Sequence, residues 1–333
     1  MFSTFVTVGQ HSTVILWLLF LLNIFLLKQV RAFSSKMAAA SPGQLAKYLQ
    51  TTDAGFAEAA ALIRSGKLVA FPTETVYGLG ANAYDEDAVL SIFKAKGRPL
   101  TDPLIVHVSS YEESLEMVTL CPEGERVWAA LGAAFWPGGL TLVGPARPAL
   151  PPKVSAGTGW VGVRVPAHPV ALRLLAACGR PVAAPSANRF GHVSPTRAAH
   201  VLQDLAGKEL AVLDGDGEAP CEHGIESTVA KVDVAGGRRL VVYRQGAVPV
   251  AALRRALSAA GLGGYEIDVL QKYVPMPAGY HPPGGGGGVH QPLRPRRHRR
   301  RPRCRPAGAL AGARARNRTC AGAGAADAAF ART

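Results

Sequence analysis

Cysteine is scarce in this sequence, with five residues in a chain of 333. No two of them have C-x-x-C spacing and no histidine cluster accompanies them, which excludes a common zinc site and a disulfide framework. Free thiols in a reducing compartment are therefore the expected state. Cys178 falls inside an apolar helical pattern, where we expect a small core residue.

The motifs of several common enzyme classes are also missing. The chain has no P-loop, no H-E-x-x-H and no G-x-S-x-G, and its one G-x-G-x-x-G spacing, at 157–162, leads into a predicted strand rather than a helix. These absences disfavour P-loop kinases, dehydrogenases, zinc proteases and α/β-hydrolases. Aromatic residues make up only 7% of the chain and are not interleaved with basic residues, which argues against a nucleic-acid surface built on base stacking.

The positive charge lies mostly at one end. The formal net charge is +14, and residues 281–333 contain twelve arginines, no lysine and one acid, a net of +11. The other 280 residues therefore carry 14 − 11 = +3. The central part is nearly balanced, and the basic excess belongs to a tail.

The N-terminal end contains an apolar run, Thr13–Leu27, which is short for a membrane span of about 20 residues. Positive charges follow it at Lys28, Arg31 and Lys36, an order that fits a signal anchor with its C-terminal side in the cytosol. An organelle-targeting extension or a translation start at Met37 are the alternatives. We expect residues 1–36 to lie outside the fold. A cytoplasmic location is predicted. The alternatives are a mitochondrion or other organelle, or a protein that is anchored in a membrane through residues 13–27.

The C-terminal end has low complexity. Five glycines at 284–288 lead into Arg/Pro-rich and Ala/Gly/Arg-rich sequence without apolar periodicity. Such sequence predicts disorder. It could serve as a basic arm for RNA, although an extension with only incidental affinity for polyanions is favoured.

Between these ends, apolar runs of strand length alternate with helical patterns. This alternation predicts an α/β fold, a twisted mixed sheet with flanking helices. Predicted helices are Ala54–Arg64, Asp85–Lys94, Glu123–Phe135, Pro169–Cys178, Thr196–Leu205 and Val250–Ala260. Predicted strands are Leu68–Phe71, Leu104–Val108, Leu140–Val143, Val161–Val165, Val182–Ala184, Ser227–Val232 and Leu240–Tyr243.

Two short segments predict a phosphate site. Lys96 and Arg98 flank a glycine at the end of a helix and are followed by proline, so we expect them on an ordered turn. Charge complementarity to the helix dipole would explain them equally. Ser186 and Asn188 follow a buried strand two residues apart, where extended backbone turns both to the same side.

Other polar residues stand near predicted strands. The segment 71–80 (FPTETVYGLG) presents hydroxyls and a carboxylate before two glycines, and Gly224–Val229 places hydroxyls at the start of a strand. Arg164 lies inside an apolar strand and needs a partner, either a buried carboxylate or a ligand carboxylate. His107 also lies inside an apolar strand, where a satisfied core histidine is the default expectation.

Together these segments resemble one family, the YrdC/Sua5 threonylcarbamoyl-adenylate synthases. The matching phrases stand in family order over roughly residues 54–260: FPTETVYGLG (71–80), KGRPLTDPLIVHV (96–108), WPGGLTLV (136–143), VGVRVPAHP (161–169), APSANRFGHVSPT (184–196) and GIESTV (224–229).

The resemblance implies a YrdC-like fold with a large, open, basic cavity, a catalytic domain at 50–262, and a linker and tail at 263–333. It implies a nucleotidyltransferase that converts L-threonine, bicarbonate and ATP to threonylcarbamoyl-AMP and pyrophosphate, with Mg²⁺ accompanying the nucleotide. A separate transferase complex would then modify adenosine 37 of tRNA.

The resemblance also implies residue roles. A catalytic set around the nucleotide phosphates would comprise Lys96, Arg98, Ser186 and Asn188. Further nucleotide contacts would come from Asp102, Thr196 and Arg244. Ser194 is a near alternative to Thr196. Threonine would be held by Thr75, His107, Arg164, and Ser227 or Thr228, with the threonine carboxylate as the partner of Arg164. No protein metal ligand is implied.

This chain departs from the family pattern in places. Arg244-Gln245-Gly246 replaces Arg-Pro-Gly, which weakens the inference for Arg244, and Asp214-Gly215-Asp216-Gly217 replaces a plainer Asp-Gly-Gly. GIESTV leans towards the Sua5 branch, but the sequence after Ala260 does not resemble the C-terminal domain of that branch. A module that binds double-stranded RNA or tRNA without catalysis is the competing interpretation.

Overall fold

The computed structural model describes residues 46–270, which form a mixed α/β fold, as predicted. Its strands, in chain order, are β1 Ala46–Leu49, β2 Val69–Phe71, β3 Gly78–Asn82, β4 Ile105–His107, β5 Leu140–Pro145, β6 Trp160–Arg164, β7 Val182–Ala183, β8 Leu210–Leu213, β9 Thr228–Asp233, β10 Arg239–Arg244 and β11 Glu266–Val269. Its helices are α1 Asp53–Arg64, α2 Glu86–Lys96, α3 Tyr111–Met117, α4 Pro122–Phe135, α5 Pro169–Cys178, α6 Ala198–Asp204 and α7 Val250–Ala259.

The strands form one sheet in the order β1-β8-β2-β3-β7-β4-β6-β5-β9-β10-β11. Five neighbouring pairs are parallel, namely β1/β8, β8/β2, β4/β6, β5/β9 and β10/β11, and the others are antiparallel. The mixed sheet was therefore predicted correctly. The short β7 lies near its middle and pairs with both β3 and β4.

Both faces of the sheet are buried, as the alternation of side chains along β2 shows. Val69 and Phe71 pack in a cluster with apolar residues of α1 and α5, whereas Ala70 packs in the larger cluster with α2, α4 and α7. Successive strand residues point to opposite faces, so one short strand serves two cores. Cys178 is buried in α5, as expected for a core residue.

Helix boundaries follow local signals. Thr52 caps α1 by accepting a hydrogen bond from Gly55 N, and Asp85 caps α2 by accepting from Asp87 N and Ala88 N. Gly97, with φ of 64°, ends α2 in the left-handed conformation, and Gly179, with φ of 55°, ends α5 in the same way.

The structure corrects two boundaries near the predicted site. Lys96 is the last residue of α2 rather than part of a turn beyond it. The helix predicted from Thr196 begins only at Ala198, because Pro195 O accepts from Tyr77 N and holds this segment against the β2–β3 loop. The first amide of α6, Ala198 N, donates instead to the Asp216 carboxylate.

Several elements were not predicted: β1, β3, β8, β11 and α3. The β3 sequence GLGAN resembles a turn, yet this strand lies between β2 and β7. A Cβ at Gly80 would come within 2.8 Å of Phe71 Cε1 and of Val182 Cγ1, so close packing requires glycine there. β1 and β11 extend the sheet beyond the predicted limits 50–262: β1 pairs in parallel with β8, far along the chain, and β11 pairs in parallel with the preceding strand β10. The division into domains itself stays a prediction.

Across residues 46–270, no helix combines the length and the apolar character needed to span a bilayer. The apolar run Thr13–Leu27, the extension 1–36 and the tail 281–333 lie outside the described residues, and the predictions made for them stay predictions.

Candidate active site

Loops and strand ends from across the chain enclose a cavity of about 340 Å³. Its wall is rich in cations and hydroxyls, as predicted for an open basic cavity. The polar residues in its lining are Thr73, Thr75, Tyr77, Lys96, Arg98, His107, Arg164, Ser186, Asn188, His192, Ser194, Glu226, Ser227 and Arg244. Four lysine and arginine side chains therefore share the described lining with a single carboxylate, that of Glu226.

Lys96 reaches the cavity from the buried face of α2 and is only 3% exposed. Its Nζ donates to the backbone carbonyls of Ser186 and Asn188, while its own carbonyl accepts from Phe190 N at 2.9 Å. Burial and, secondly, the charge of Arg98 lower the pKa of Lys96 to about 7. The Nζ atom of Lys96 is thus fixed in place, and its amine and ammonium forms are both populated near neutral pH.

Arg98 lies on the loop after α2. Its Nε donates to Asp102 O at 3.3 Å and its Nη2 to Pro103 O at 3.0 Å, which fixes the plane of the guanidinium. Burial lowers its pKa from the usual range. Asp102 is buried but does not line the cavity, and its visible contact with Arg98 is through the backbone.

Asn188 organises the loop after β7. Its Oδ1 accepts from Ser186 Oγ, and its Nδ2 donates to Arg189 O at 2.9 Å and His192 O at 2.7 Å. The amide is therefore largely occupied in shaping the loop that receives Lys96. Ser186 is less buried and lines the cavity beside it.

The other half of the cavity contains Arg164, which lies at the end of β6. Its Nη2 donates to Glu74 Oε1 at 2.6 Å and its Nε to Gly138 O at 3.1 Å. Glu74 also accepts from Ala167 N at 2.9 Å. The buried partner of Arg164 is thus Glu74, the first of the two kinds of partner expected from the sequence.

His107 and Thr75 stand near this ion pair. Burial first and the charge of Arg164 second lower the pKa of His107 to about 3, so its imidazole is neutral at ordinary pH. Its Nδ1 is buried and has no hydrogen-bond partner among the described residues, so His107 is not the satisfied core histidine of the default expectation. Thr75 Oγ1 lies 2.8 Å from Thr73 Oγ1. This part of the wall therefore combines a neutral imidazole with a hydroxyl beside the Glu74–Arg164 ion pair.

Arg244 and Glu226 close a third side. Arg244 Nε donates to Ser227 O at 3.0 Å, and burial lowers the pKa of Arg244 to about 10. Glu226 Oε1 accepts from Ser194 Oγ at 2.7 Å, which joins the loop before β9 to the loop after β7. Ser227 Oγ lies 2.8 Å from Thr141 Oγ1.

The structure brings together all but three of the predicted site residues. Asp102, Thr196 and Thr228 are absent from the cavity lining. For Thr228 the reason is clear: its Oγ1 donates to Val248 O at 2.7 Å and accepts from the amides of Gly246 and Val248, both at 3.0 Å. Of Ser227 and Thr228, only Ser227 therefore faces the cavity.

Sequence reasoning gave no role to Glu74, Glu226, Thr73 or Phe190, although each lies in a quoted phrase. A carboxylate between two threonines directly after an apolar strand is a signal for a buried ion pair, and Arg164 is an equally isolated cation. Pairing these two residues was possible from the requirement that buried charges are compensated.

Within residues 46–270, no group of three or more His, Cys, Asp or Glu side chains is arranged to hold a metal ion.

Fold and cavity together define a class: mixed α/β proteins whose twisted sheet carries a deep cation-lined cavity at strand ends. The Sua5/YciO/YrdC family model, described as telomere recombination, matches residues 61–246, more than half of the chain. The chain belongs to this family.

Relatives agree with this assignment. The threonylcarbamoyl-AMP synthase of Bacillus subtilis is 50% identical over 182 residues, which are 54% of this chain and 51% of that protein. The enzyme of the same name from Pyrococcus abyssi is 47% identical over 199 residues, 60% of this chain and 56% of that protein. The chain thus spans just over half the length of these relatives.

A crystal structure of P. abyssi Sua5 complexed with L-threonine has a TM-score of 0.60 and 41% identity to this chain, and the match covers 68% of this chain and 62% of the Sua5 chain.

Proposed function

We propose that this protein is an L-threonylcarbamoyladenylate synthase, a nucleotidyltransferase that uses L-threonine, bicarbonate and ATP. The observation that carries the proposal is one cavity in which Lys96 and Arg98 lie on one side and Arg164 with His107 on the other. Relatives named threonylcarbamoyl-AMP synthase and a Sua5 structure with threonine support it.

In the proposed reaction, the amine of threonine attacks CO₂, releasing one proton to solvent, or bicarbonate, releasing water, and forms an N-carboxylate. An oxygen of that carboxylate then attacks the α-phosphorus of ATP, and pyrophosphate leaves. Both reactants are anionic, so cations are needed to bring them together and to stabilise charge on the phosphorus oxygens. Lys96 and Arg98 supply that charge from fixed positions, and no general base is assigned.

Arg164 is suited to the threonine carboxylate because Glu74 and Gly138 occupy only its Nη2 and Nε in the bonds described. Neutral His107 and the hydroxyls of Thr75 and Ser227 can then serve the amine and hydroxyl of threonine. Lys96, Arg98, Ser186, Asn188, Ser194 and Arg244 would serve the nucleotide, with Asp102 and Thr196 as outer contacts.

Mg²⁺ would enter bound to the nucleotide. A hard cation takes oxygen ligands, and the described lining offers a single carboxylate, Glu226, so phosphate oxygens would supply most of them. The ion would neutralise charge on the pyrophosphate. A transferase complex and tRNA would act downstream, and cytoplasmic location belongs to the same proposal.

The test is an assay of the full chain with ATP, Mg²⁺, bicarbonate and labelled threonine. We expect pyrophosphate release that requires threonine, together with labelled adenylate. Lys96→Ala and Arg98→Ala should each lower kcat/KM by about 10²–10³, the loss typical of one transition-state donor. Lys67→Ala, which removes an exposed lysine paired with Glu209, is the matched control.

Absence of threonine-dependent pyrophosphate from the wild type refutes the synthase assignment. Near-normal turnover in both cavity variants refutes the roles given to Lys96 and Arg98.

A further inference from the structure

Phe190 has two properties that bear on ligand binding: the residue lines the cavity, and it is 44% exposed. A single exposed phenylalanine is unremarkable on a protein surface. At the entrance of a cavity lined with cations, however, a large apolar face has few other uses than contact with whatever occupies the cavity.

The backbone around Phe190 is held firmly. Phe190 N donates to Lys96 O at 2.9 Å, and Arg189 N donates to Asp204 Oδ2 at 2.6 Å. Asn188 Nδ2 donates to the carbonyls of Arg189 and His192, which precede and follow Phe190 in the sequence. The exposure of Phe190 is therefore set by an ordered loop that presents the ring.

The ring also has a defined neighbour in the cavity. The guanidinium carbon of Arg98 lies 5.9 Å from the ring centroid, within the range of a cation–π contact. Arg98 is held in turn by the carbonyls of Asp102 and Pro103. Phe190 thus stands directly beside a cation that can bind phosphate, on the side towards solvent.

We propose that Phe190 is a binding residue that stacks against the base of the nucleotide, while Lys96 and Arg98 hold its phosphates. This inference deepens the proposed function and rests on it for the identity of ATP. Aromatic rings accept bases by stacking, and removal of such a ring typically weakens binding by roughly five- to a hundredfold. The ligand class is a nucleoside triphosphate, in preference to a bare polyphosphate.

The experiment compares two ligands that share phosphates and differ in the base. Calorimetry on the full chain would measure affinities for ATP and for inorganic tripolyphosphate in the wild type, Phe190→Ala, Phe190→Trp and Val193→Ala. Val193 lies on the same loop and is 90% exposed but does not line the cavity, so it is the matched control.

We expect Phe190→Ala to weaken ATP binding about tenfold and to change tripolyphosphate binding less than twofold. Phe190→Trp should keep ATP affinity, and its added indole fluorescence should change with ATP but not with tripolyphosphate. Val193→Ala should resemble the wild type for both ligands.

Three results overturn the inference. Unchanged ATP affinity in Phe190→Ala shows that the ring does not meet the base. Equal losses for ATP and tripolyphosphate show that Phe190 acts only by holding Arg98 or the loop. A wild type that does not prefer ATP over tripolyphosphate also overturns it. Failure of the proposed function is seen separately, as ATP binding without threonine-dependent pyrophosphate release.

Discussion

At the scale of single residues, Glu74 and Arg164 form an ion pair whose side chains are 7% and 4% exposed. Burial alone would raise the pKa of the Glu74 carboxyl. The charge and hydrogen bond of Arg164 and the Ala167 amide together outweigh burial, so the pKa is lowered. The carboxylate is thus the stable form in the fold, and its loss would leave a buried guanidinium without its countercharge.

We expect Glu74→Gln to lower the free energy of unfolding by about 3–5 kcal/mol, because one partner of a buried pair is removed. Glu113→Gln, which changes a carboxylate that accepts two hydrogen bonds from Ser109 outside the cavity, should cost only about 1 kcal/mol. Chemical denaturation at pH 7 measures both, and equal losses would contradict the buried-pair account.

The pH dependence of this difference has a fixed sign. The pKa of Glu74 is lower in the fold than its ordinary value of 4.5, so its stabilisation is complete above that value. It is lost as the pH falls through the folded pKa. The gap between wild type and Glu74→Gln should therefore close progressively below about pH 4.5, whereas a gap that persists would contradict an ionic origin.

Lys96 gives a second residue-scale prediction. Its pKa of about 7 means that the amine is mostly neutral at pH 8 in the free protein. A bound triphosphate favours the ammonium, so ATP binding at pH 8 should take up close to one proton, and much less at pH 6.

Calorimetry in buffers of different ionisation enthalpy measures that uptake. Lys96→Arg, which keeps the charge but does not titrate in this range, is the control and should show none. Binding heats of the wild type at pH 8 that do not depend on the buffer would contradict the proposed contact between Lys96 and phosphate.

The residue types at the site were predictable, but their orientations were not. Thr228 has the same hydroxyl group as Thr75, but in the fold this hydroxyl donates to Val248 O and does not face the cavity. Asn188 lines the cavity, but its amide also donates to two carbonyls of its own loop. Such outcomes depend on which backbone groups lie nearby after folding, and the local sequence does not state that.

At the scale of elements, the C-terminus of α2 positions Lys96 and Arg98, the two residues proposed to bind phosphate. Gly97 ends the helix between them. Gly97 has φ of 64° and stands between Lys96 and Arg98, and a Cβ there would meet nothing within 4 Å. The cost of a side chain at this position is therefore one of backbone conformation. Gly179 ends α5 in the same conformation and is equally unhindered.

Gly97→Ala and Gly179→Ala should each lower the free energy of unfolding by about 1–2 kcal/mol, because alanine disfavours the left-handed region. Only Gly97→Ala should also raise the KM for ATP, by several-fold, since a backbone rotation there separates Lys96 from Arg98. Denaturation and steady-state kinetics would test the pair. Equal ATP KM values in both variants would contradict the role of the α2 terminus.

Elements with strong periodicity were predicted well, and those made of small residues were not. The bounds Pro169–Cys178 agree with α5, because proline begins the helix and glycine ends it. β3 was missed because glycine and alanine have little strand preference of their own, whereas β7 was predicted to within one residue. The pairing of β3 is imposed by neighbours such as Phe71, which fills the space above Gly80.

At the scale of the whole molecule, charge separates the cavity from the tail. Of the net +14, residues 281–333 carry +11, so any affinity for polyanions outside the cavity should depend on them. Phosphate contacts weaken as salt rises. The competing interpretation, an RNA-binding module, therefore makes a different prediction for a shortened chain.

A chain ending at residue 280 should keep threonine-dependent pyrophosphate release but lose most of its affinity for double-stranded RNA at low salt. A full-length chain with the tail arginines replaced by glutamine is the matched control and should behave like the shortened chain. Filter binding across a salt series and the pyrophosphate assay give the two readouts. RNA affinity that survives both changes would locate RNA binding in the folded part instead.

The shortest strand of the sheet has a consequence for how this protein unfolds. Two residue pairs join β7 to β3 and two join it to β4, and backbone hydrogen bonds beside the strand, such as Leu79 N to Pro185 O and Ala184 N to Ile105 O, continue this join. The cavity draws its walls from both halves, since Thr75 belongs to one side and Arg164 and Arg244 to the other. A bound ligand would span the same join and add cross-links to those of the backbone. Substrate binding would then raise the cooperativity with which the two halves of the sheet unfold.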